Sequence, residues 1–479
     1  MRQFAFLGLS ALAIPSFAAT PEQEMTAAVR QVSQARMKAD VQRLVAFGTR
    51  HTLSSQTDPK RGIGAAVRWA EEELKKTGLE ALQVCDTLEG RRLTGPTRIC
   101  NAVAIQRGTE RPNDVVIITG HIDSRVTDVM DFTRDAPGAN DDASGTSAVL
   151  EAARVLSKRK FPGTIVYAAL SGEEQGLYGG RVMADYAKKQ GWNVVANLNN
   201  DIIGNSCGSD GVCDGKTVRV FSEGPRWQGR EAMAQQLRSL GGENDAPSRN
   251  LSRFLDRLAE RLPAIGLEVR QVWRLDRWGR GGDHTEFLNA GFPAIRFSVA
   301  VEDYDHQHQD LRTENGRKYG DTIDEMDFPY LARVTRLNVA ALMSLASAPP
   351  PPEPTVEGAV MTDTRVEWLP REGAATYVVR WRRTDANQWT QESRRFADVN
   401  VATERPASNA ADPNRPLNPG TTGRLAGGIR KSSTLKGIRV DDWVFGVSSV
   451  SKDGWESPVA SAVPGGAFKP FVPPAPAGQ

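Results

Sequence analysis

Apolar positions at spacings of mostly three and four open the chain. Met25, Val29, Val32, Met37, Val41 and Leu44 predict an amphipathic helix over 22–46. Phe47-Gly48-Thr49-Arg50-His51 breaks the pattern, and a second helix is predicted over 64–76, ended by Thr77-Gly78. The period then changes. Alternating or continuous apolar runs predict strands over 81–84, 99–105, 115–119, 163–170 and 193–198, with a helix over 145–156 between the third and the fourth. Further along, 247–262 and 329–345 read as helices, 267–272 and 294–299 as strands, and 301–324 as polar and irregular. Strands alternating with helices predict an α/β sandwich with a mostly parallel central sheet over 22–347.

At 348–354 the pattern stops. Ala348 is followed by four prolines, Glu353 and Pro354, a stiff linker of polyproline character. Beyond it the helical period is gone. Short alternating runs over 366–369, 376–382 and 443–450 carry Trp368, Tyr377, Trp381 and Trp443, and predict a small all-β sandwich over 355–464. The Pro/Gly/Asn-rich stretch 404–436 reads as a long loop within it, and 465–479 as a disordered tail.

Length and charge narrow the class. A chain of 479 residues is too long for one ordinary core. The net charge of +2 comes from interspersed signs, so no clustered basic face for a nucleic acid is expected. After the first twenty residues no apolar run is long enough to predict a membrane span. Arg2, the apolar stretch 4–14 and the small-x-small Ser16-Phe17-Ala18 predict a signal peptide over 1–18, and with it a secreted or periplasmic protein. The four cysteines come as two close pairs, Cys85 with Cys100 and Cys207 with Cys213, which suits two local disulfides in an oxidising compartment. Their spacing matches no usual thiolate zinc site.

Candidate chemistry collects at the ends of the predicted strands. His121 and Asp123 follow 115–119, Glu173-Glu174 follow 163–170, and Asp201 follows 193–198. In such sheets, ligands bind beyond the carboxyl ends of the strands. The chain has only five histidines, at 51, 121, 284, 306 and 308. Zinc takes imidazole nitrogen and carboxylate oxygen, and two ions about 3.5–4 Å apart can share a carboxylate. Asp141, in the small-residue turn Gly-Ala-Asn-Asp-Asp-Ala-Ser-Gly over 138–145, suits that bridging place. Its neighbour Asp142 can be held by the amides of the helix that follows. Of the pair Glu173-Glu174, one can ligate while the other serves as general base. Asp123 can orient the His121 imidazole from behind. His51 reads as a loop or core histidine.

The segments HIDS, GANDDASG, SGEEQGLYG and LNNDIIG, followed by GGDHTEF and a late histidine, resemble the zinc aminopeptidase family typified by bacterial leucyl and streptomycete aminopeptidases, peptidase family M28. The resemblance covers roughly residues 25–346. It implies a three-layer zinc-exopeptidase fold and two zinc ions. His121 would ligate one zinc, Asp141 would bridge both, Glu174 would ligate one and Asp201 the other. Glu173 would be the general base, Asp123 would stand behind the ligands, and His284 would be structural. The last ligand falls in Tyr304-Asp305-His306-Gln307-His308-Gln309-Asp310, on His308 in preference to His306, with Tyr304 a candidate for stabilising the tetrahedral intermediate. The implied function is hydrolysis of N-terminal residues from peptide substrates. A carboxypeptidase using Arg125, Arg277 or Arg280, or a glutaminyl cyclase-like enzyme, are alternatives on the same scaffold. An inactive binding or adhesion protein is the rival from another class. The C-terminal module is similar to a fibronectin type III domain.

Overall fold

The central sheet is built from β1 (Glu80–Leu88), β2 (Thr97–Gln106), β3 (Arg111–His121), β4 (Gly163–Leu170), β5 (Asn193–Asn200), β6 (Thr217–Phe221), β7 (Glu268–Val272) and β8 (Ala294–Val299). Their order is β1-β2-β4-β3-β5-β8-β6-β7. The computed structural model describes residues 19–225, 237–393, 400–401 and 430–463. The expected leader, the expected tail and most of the expected loop over 404–436 lie outside these residues.

The middle of the sheet, β4-β3-β5-β8, is parallel throughout. The flanks are mixed: β1 and β2 run antiparallel, as do β2 with β4 and β6 with β8, while β7 is parallel to β6. The sheet is mostly parallel, as expected, and its antiparallel pairs lie at the flanks. An apolar run fixes that a strand is buried, not which way it runs. The β1–β2 hairpin is fastened by the disulfide Cys85–Cys100, whose two residues stand directly opposite in the register. The second disulfide, Cys207–Cys213, closes a small loop.

Successive residues of the central strands face opposite cores. Val116 and Ile118 of β3 join one apolar cluster, and Val115 and Ile117 the other. The first cluster is covered by α1 (Pro21–Val29), α2 (Gln34–Val45), α3 (Ile63–Lys75) and α4 (Ala143–Leu156), and it also takes in α7 (Pro247–Arg261) and α9 (Phe328–Ser347). After the single turn α5 (Glu173–Gly176), the helices α6 (Tyr178–Lys189) and α8 (His284–Ala290) cover the second cluster. Three layers result. Truncating a fully buried side chain such as Ile117 or Leu198 to alanine costs about 2–5 kcal/mol in such cores.

Two differences from the sequence pattern are local. The helix expected over 22–46 is two helices, because the chain turns at 30–33 and Ser33 caps the second by accepting the Arg36 N–H (3.3 Å). The polar stretch after β8 contains a short hairpin, β9 (Arg312–Glu314) with β10 (Arg317–Tyr319).

Beyond the proline-rich segment lie two four-stranded antiparallel sheets. One is β11 (Thr355–Glu357), β12 (Thr364–Trp368), β16 (Arg430–Leu435) and β15 (Asn400–Val401). The other is β14 (Gln391–Ser393), β13 (Thr376–Arg383), β17 (Trp443–Val450) and β18 (Ala460–Ser461). Val366, Trp368, Tyr377, Val379, Phe445 and Val447 pack between them. Strand β16 falls inside the stretch expected to be loop. Its residues Arg-Lys-Ser-Ser-Thr-Leu show no apolar alternation, and pairing with β12 makes the strand. This module is docked on α7. Buried Asp245 pairs with Arg382 (2.6 Å) and accepts the Ser461 hydroxyl (2.5 Å), and Arg253 donates to the Asn387 carbonyl (2.8 Å). The proline segment is pinned as well, with Ser449 donating to the Pro350 carbonyl and Arg371 to that of Pro351.

Candidate active site

The parallel register brings the carboxyl ends of four neighbouring strands level. His121 stands opposite Leu170, and Asn200 opposite Phe297. Each strand then delivers a candidate residue to one edge. His121 is the last residue of β3. Glu173 and Glu174 open α5 after β4, through Gly172 in the left-handed region (φ 84°), where a side chain would be strained. Asp201 follows β5. His308 lies on the loop after β8. Asp141 sits in the turn before α4, whose cap is Asp142. That carboxylate accepts the N–H groups of Gly145 (2.8 Å) and His121 (2.9 Å), so one buried side chain ties the helix start to the strand end. Gly120 permits this approach, since a Cβ there would lie 2.4 Å from the Gly145 carbonyl carbon.

Asp141 stands between two imidazoles. Its Oδ1 is 3.0 Å from His121 Nε2, and its Oδ2 is 2.8 Å from His308 Nε2. On the first side Asp201 Oδ1 is 3.8 Å from His121 Nε2. On the second, Glu174 Oε1 is 3.0 Å from His308 Nε2. Two three-residue donor groups follow, His121/Asp141/Asp201 and Asp141/Glu174/His308, each with its ligand atoms within 4.8 Å of one another. Glu173 joins His121 and Glu174 in a further group. Of the two late histidines, His308 is the one at the cluster. His306 faces Asp303 (2.6 Å) and Glu325 (3.4 Å) instead. His51 and His284 are buried, each with Nε2 against a main-chain oxygen, that of Val129 and Leu275 respectively. Tyr304 lines the cleft with its side chain mostly exposed.

Asp123 does more than stand behind His121. Its two oxygens accept the N–H groups of Glu173 (3.2 Å) and Glu174 (3.1 Å), which orients the glutamate pair. His121 Nδ1 lies 3.1 Å from the Asp123 carbonyl and 3.5 Å from its carboxylate. With the proton held there, Nε2 presents its lone pair to the cluster.

Four further residues complete the setting. Asp321 accepts the N–H of Asn140 (2.8 Å) and of Asp141 (2.7 Å), and so fixes the turn that carries the central carboxylate. Arg296 pairs with Asp201 (2.8 Å). Arg125 pairs with Glu174 (2.9 Å) and donates to His308 Nδ1 (2.5 Å). Arg50, fully buried, donates to the carbonyls of Leu44, Ile122, Pro137 and Gly138. Arg296 had a signal in the sequence, a lone charge inside the apolar strand 294–299. The others act on main-chain groups or other side chains far away in the chain, which spacing does not reveal.

Charge at the site is unbalanced. Burial opposes protonation of His308, but Glu174 and Asp141 outweigh it and push its pKa up to about 9. His121 behaves alike, burial being outweighed by Asp142 and by the carboxylates of Asp123, Asp141 and Asp201. The field that draws protons onto both imidazoles equally favours divalent cations between them, and the donor set of imidazole and carboxylate is one zinc accepts. The residues therefore fit metal. Ligation through His308 Nε2 needs the proton on Nδ1, so it excludes the hydrogen bond from Arg125.

Residues 101–341, which include both donor groups, match Peptidase family M28. A probable zinc metalloprotease of Leptosphaeria maculans is 47% identical over 382 residues, 78% of this chain and 88% of that protein. The chain belongs to peptidase family M28. An M28 assignment agrees with the fold. The aminopeptidase LapA of Legionella pneumophila superposes with a TM-score of 0.50 at 19% identity, over 72% of this chain and 77% of that one. A probable zinc metalloprotease of Pyrenophora tritici-repentis is 41% identical over 458 residues, 93% of this chain and 88% of its own, so that likeness runs on into the C-terminal sheets.

Proposed function

We propose that this M28 protein is an exported two-zinc exopeptidase that removes N-terminal residues from peptides. The observation that carries the reading is Asp141, one carboxylate with an oxygen toward each of two imidazoles, at 3.0 and 2.8 Å. His121, Asp141 and Asp201 would hold one ion, and Asp141, Glu174 and His308 the other. Bound zinc supplies Lewis acidity toward a carbonyl oxygen and acidifies water.

Glu173 then has the proton work. It lies at the cleft floor beside the donor groups, and burial, reinforced by Asp201 and Glu174 against the pull of His121, pushes its carboxyl well above the usual range. Such a group takes the proton of an attacking water and returns it to the leaving amine. Asp123 keeps it in place through the Glu173 N–H. Removal of N-terminal residues is supported by membership of the M28 family and by the fold shared with the aminopeptidase LapA.

Export is supported by the two disulfides and the sequence of the first eighteen residues. The C-terminal module reads as fibronectin type III-like. Its two antiparallel sheets support this, as does Tyr377, whose hydroxyl accepts the Arg371 N–H (2.7 Å). The test is hydrolysis of aminoacyl p-nitroanilides by the mature protein, before and after chelation and zinc return. Chelator-sensitive release of the first residue is expected. Cleavage of N-acetylated peptides with a free carboxyl end, and not of aminoacyl amides, would replace the reading with a carboxypeptidase.

A further inference from the structure

The cleft above the donor groups has a volume of about 640 Å³. The carboxylates on its lining are all members of the metal and base cluster, Asp141, Glu173, Glu174 and Asp201. Every other charged side chain on the lining, His308 aside, is a guanidinium: Arg92, Arg125, Arg277 and Arg280. Two of these share a scarce counter-charge. Arg277 (3.3 Å) and Arg280 (3.0 Å) both lean on Glu302, which also pairs with Arg219 (2.6 Å). One carboxylate thus answers three guanidiniums, and among the described residues Arg277 alone of the three has a second, Asp276. Arg92 donates to the Glu174 carbonyl (3.0 Å), so among the described residues no carboxylate stands against its charge. Divalent ions at the donor groups would take up the negative charge of Glu174 and Asp201 as well.

We infer that this cleft selects peptides with a carboxylate beside the scissile bond, received by Arg92 and Arg280. The inference rests on the exopeptidase reading above and names its substrate class. The carboxylate is an Asp or Glu side chain, or the free carboxyl end of a short peptide. Guanidinium suits either source, because its fork of N–H donors matches a carboxylate in two parallel hydrogen bonds. A cleft lined by one sign of charge also raises the local concentration of substrates of the other sign.

The experiment has two arms, run with the zinc-loaded full-length mature protein. The first compares glutamyl with glutaminyl p-nitroanilide. The second compares a neutral dipeptide with its C-terminal amide. In at least one arm the anionic member is expected to have a kcat/KM roughly tenfold or more above its neutral partner, mostly through KM. The arm that shows it names the source. The ratio is expected to fall several-fold in Arg92→Gln and in Arg280→Gln, to recover in part in the Lys variants, and to shrink as salt rises from about 0.05 to 0.5 M. Ratios near one in both arms, or a ratio that neither Gln variant moves, would overturn the inference and leave the exopeptidase reading standing. No hydrolysis of any of these substrates sinks both.

Discussion

Arg296, in the middle of β8, holds Asp201 at the end of β5 by an ion pair of 2.8 Å between two buried side chains. A second buried carboxylate, Asp276, lies equally close on the other side of the guanidinium (2.8 Å). One cation therefore orients a donor of the first group and pairs with the buried carboxylate of the loop that forms a wall of the cleft. Removing one partner of a buried pair leaves the other uncompensated, at a cost of about 3–5 kcal/mol. Arg296→Met is expected to lose stability on that order and to retain less zinc than the parent after gel filtration. Melting temperature and metal analysis read the two effects. A variant with unchanged stability and zinc content would show that Arg296 carries neither.

The same loop sets a pH dependence. Burial by itself raises the Asp276 carboxyl, but Arg296 and Arg277 outweigh it and hold the pKa well below the usual carboxylate range. Glu302 shifts the same way, with burial outweighed by Arg277, Arg219 and Arg280. A folded-state pKa below the unfolded one means that the unfolded chain takes up protons first as pH falls. The stabilisation is then complete above about pH 5 and is lost as pH falls through about 4 toward the folded values. Asp276→Asn is expected to melt lower than the parent at neutral pH, with the two melting curves converging below about pH 4. A gap that stays constant down to pH ~3 would assign the lost stability to packing.

The site was legible where chemistry follows directly on an apolar run. The strands expected over 163–170 and 294–299 match the observed bounds, and Glu173-Glu174 and Asp201 lie just past strand ends as expected. Such runs are buried on both faces, so the pattern alone marks them. Strand direction at the sheet flanks was not legible, because the β1–β2 hairpin and a crossover to parallel pairing leave the same apolar signature. The choice between His306 and His308 was only partly legible. They are two residues apart on an irregular loop, and His308 takes a left-handed backbone conformation (φ 58°) that tertiary contacts impose. Asp321 reaches across 180 residues to the Asp141 N–H. No local pattern encodes such a contact.

Glu173 is the residue whose loss separates proton transfer from metal binding. It lies within reach of His121 and Glu174, yet the two donor groups around Asp141 are complete without it. Glu173→Gln preserves shape and removes the base. The expected outcome is an unchanged zinc-to-protein ratio with a rate lowered by about 10²–10⁴. Zinc loss in parallel with activity would place Glu173 among the ligands instead.

The two donor groups are not equivalent, and this gives an order to metal loss. In the first, the Nδ1 proton of His121 has an acceptor in the Asp123 carbonyl, so Nε2 ligates on losing its own proton and that hydrogen bond is kept. In the second, the Arg125 guanidinium donates to His308 Nδ1 and pairs with Glu174. Each group has a guanidinium on one carboxylate donor, Arg296 on Asp201 and Arg125 on Glu174, but only in the second must zinc also displace a hydrogen bond to the imidazole, so its affinity is reduced. Titration of chelator-stripped protein with zinc, followed by calorimetry, is expected to resolve two unequal steps, the weaker of which vanishes in His308→Ala and persists in His306→Ala. Arg125→Met is expected to bring the two affinities closer by strengthening the weaker one. A single class of sites, or loss of a step in His306→Ala instead, would overturn this ordering.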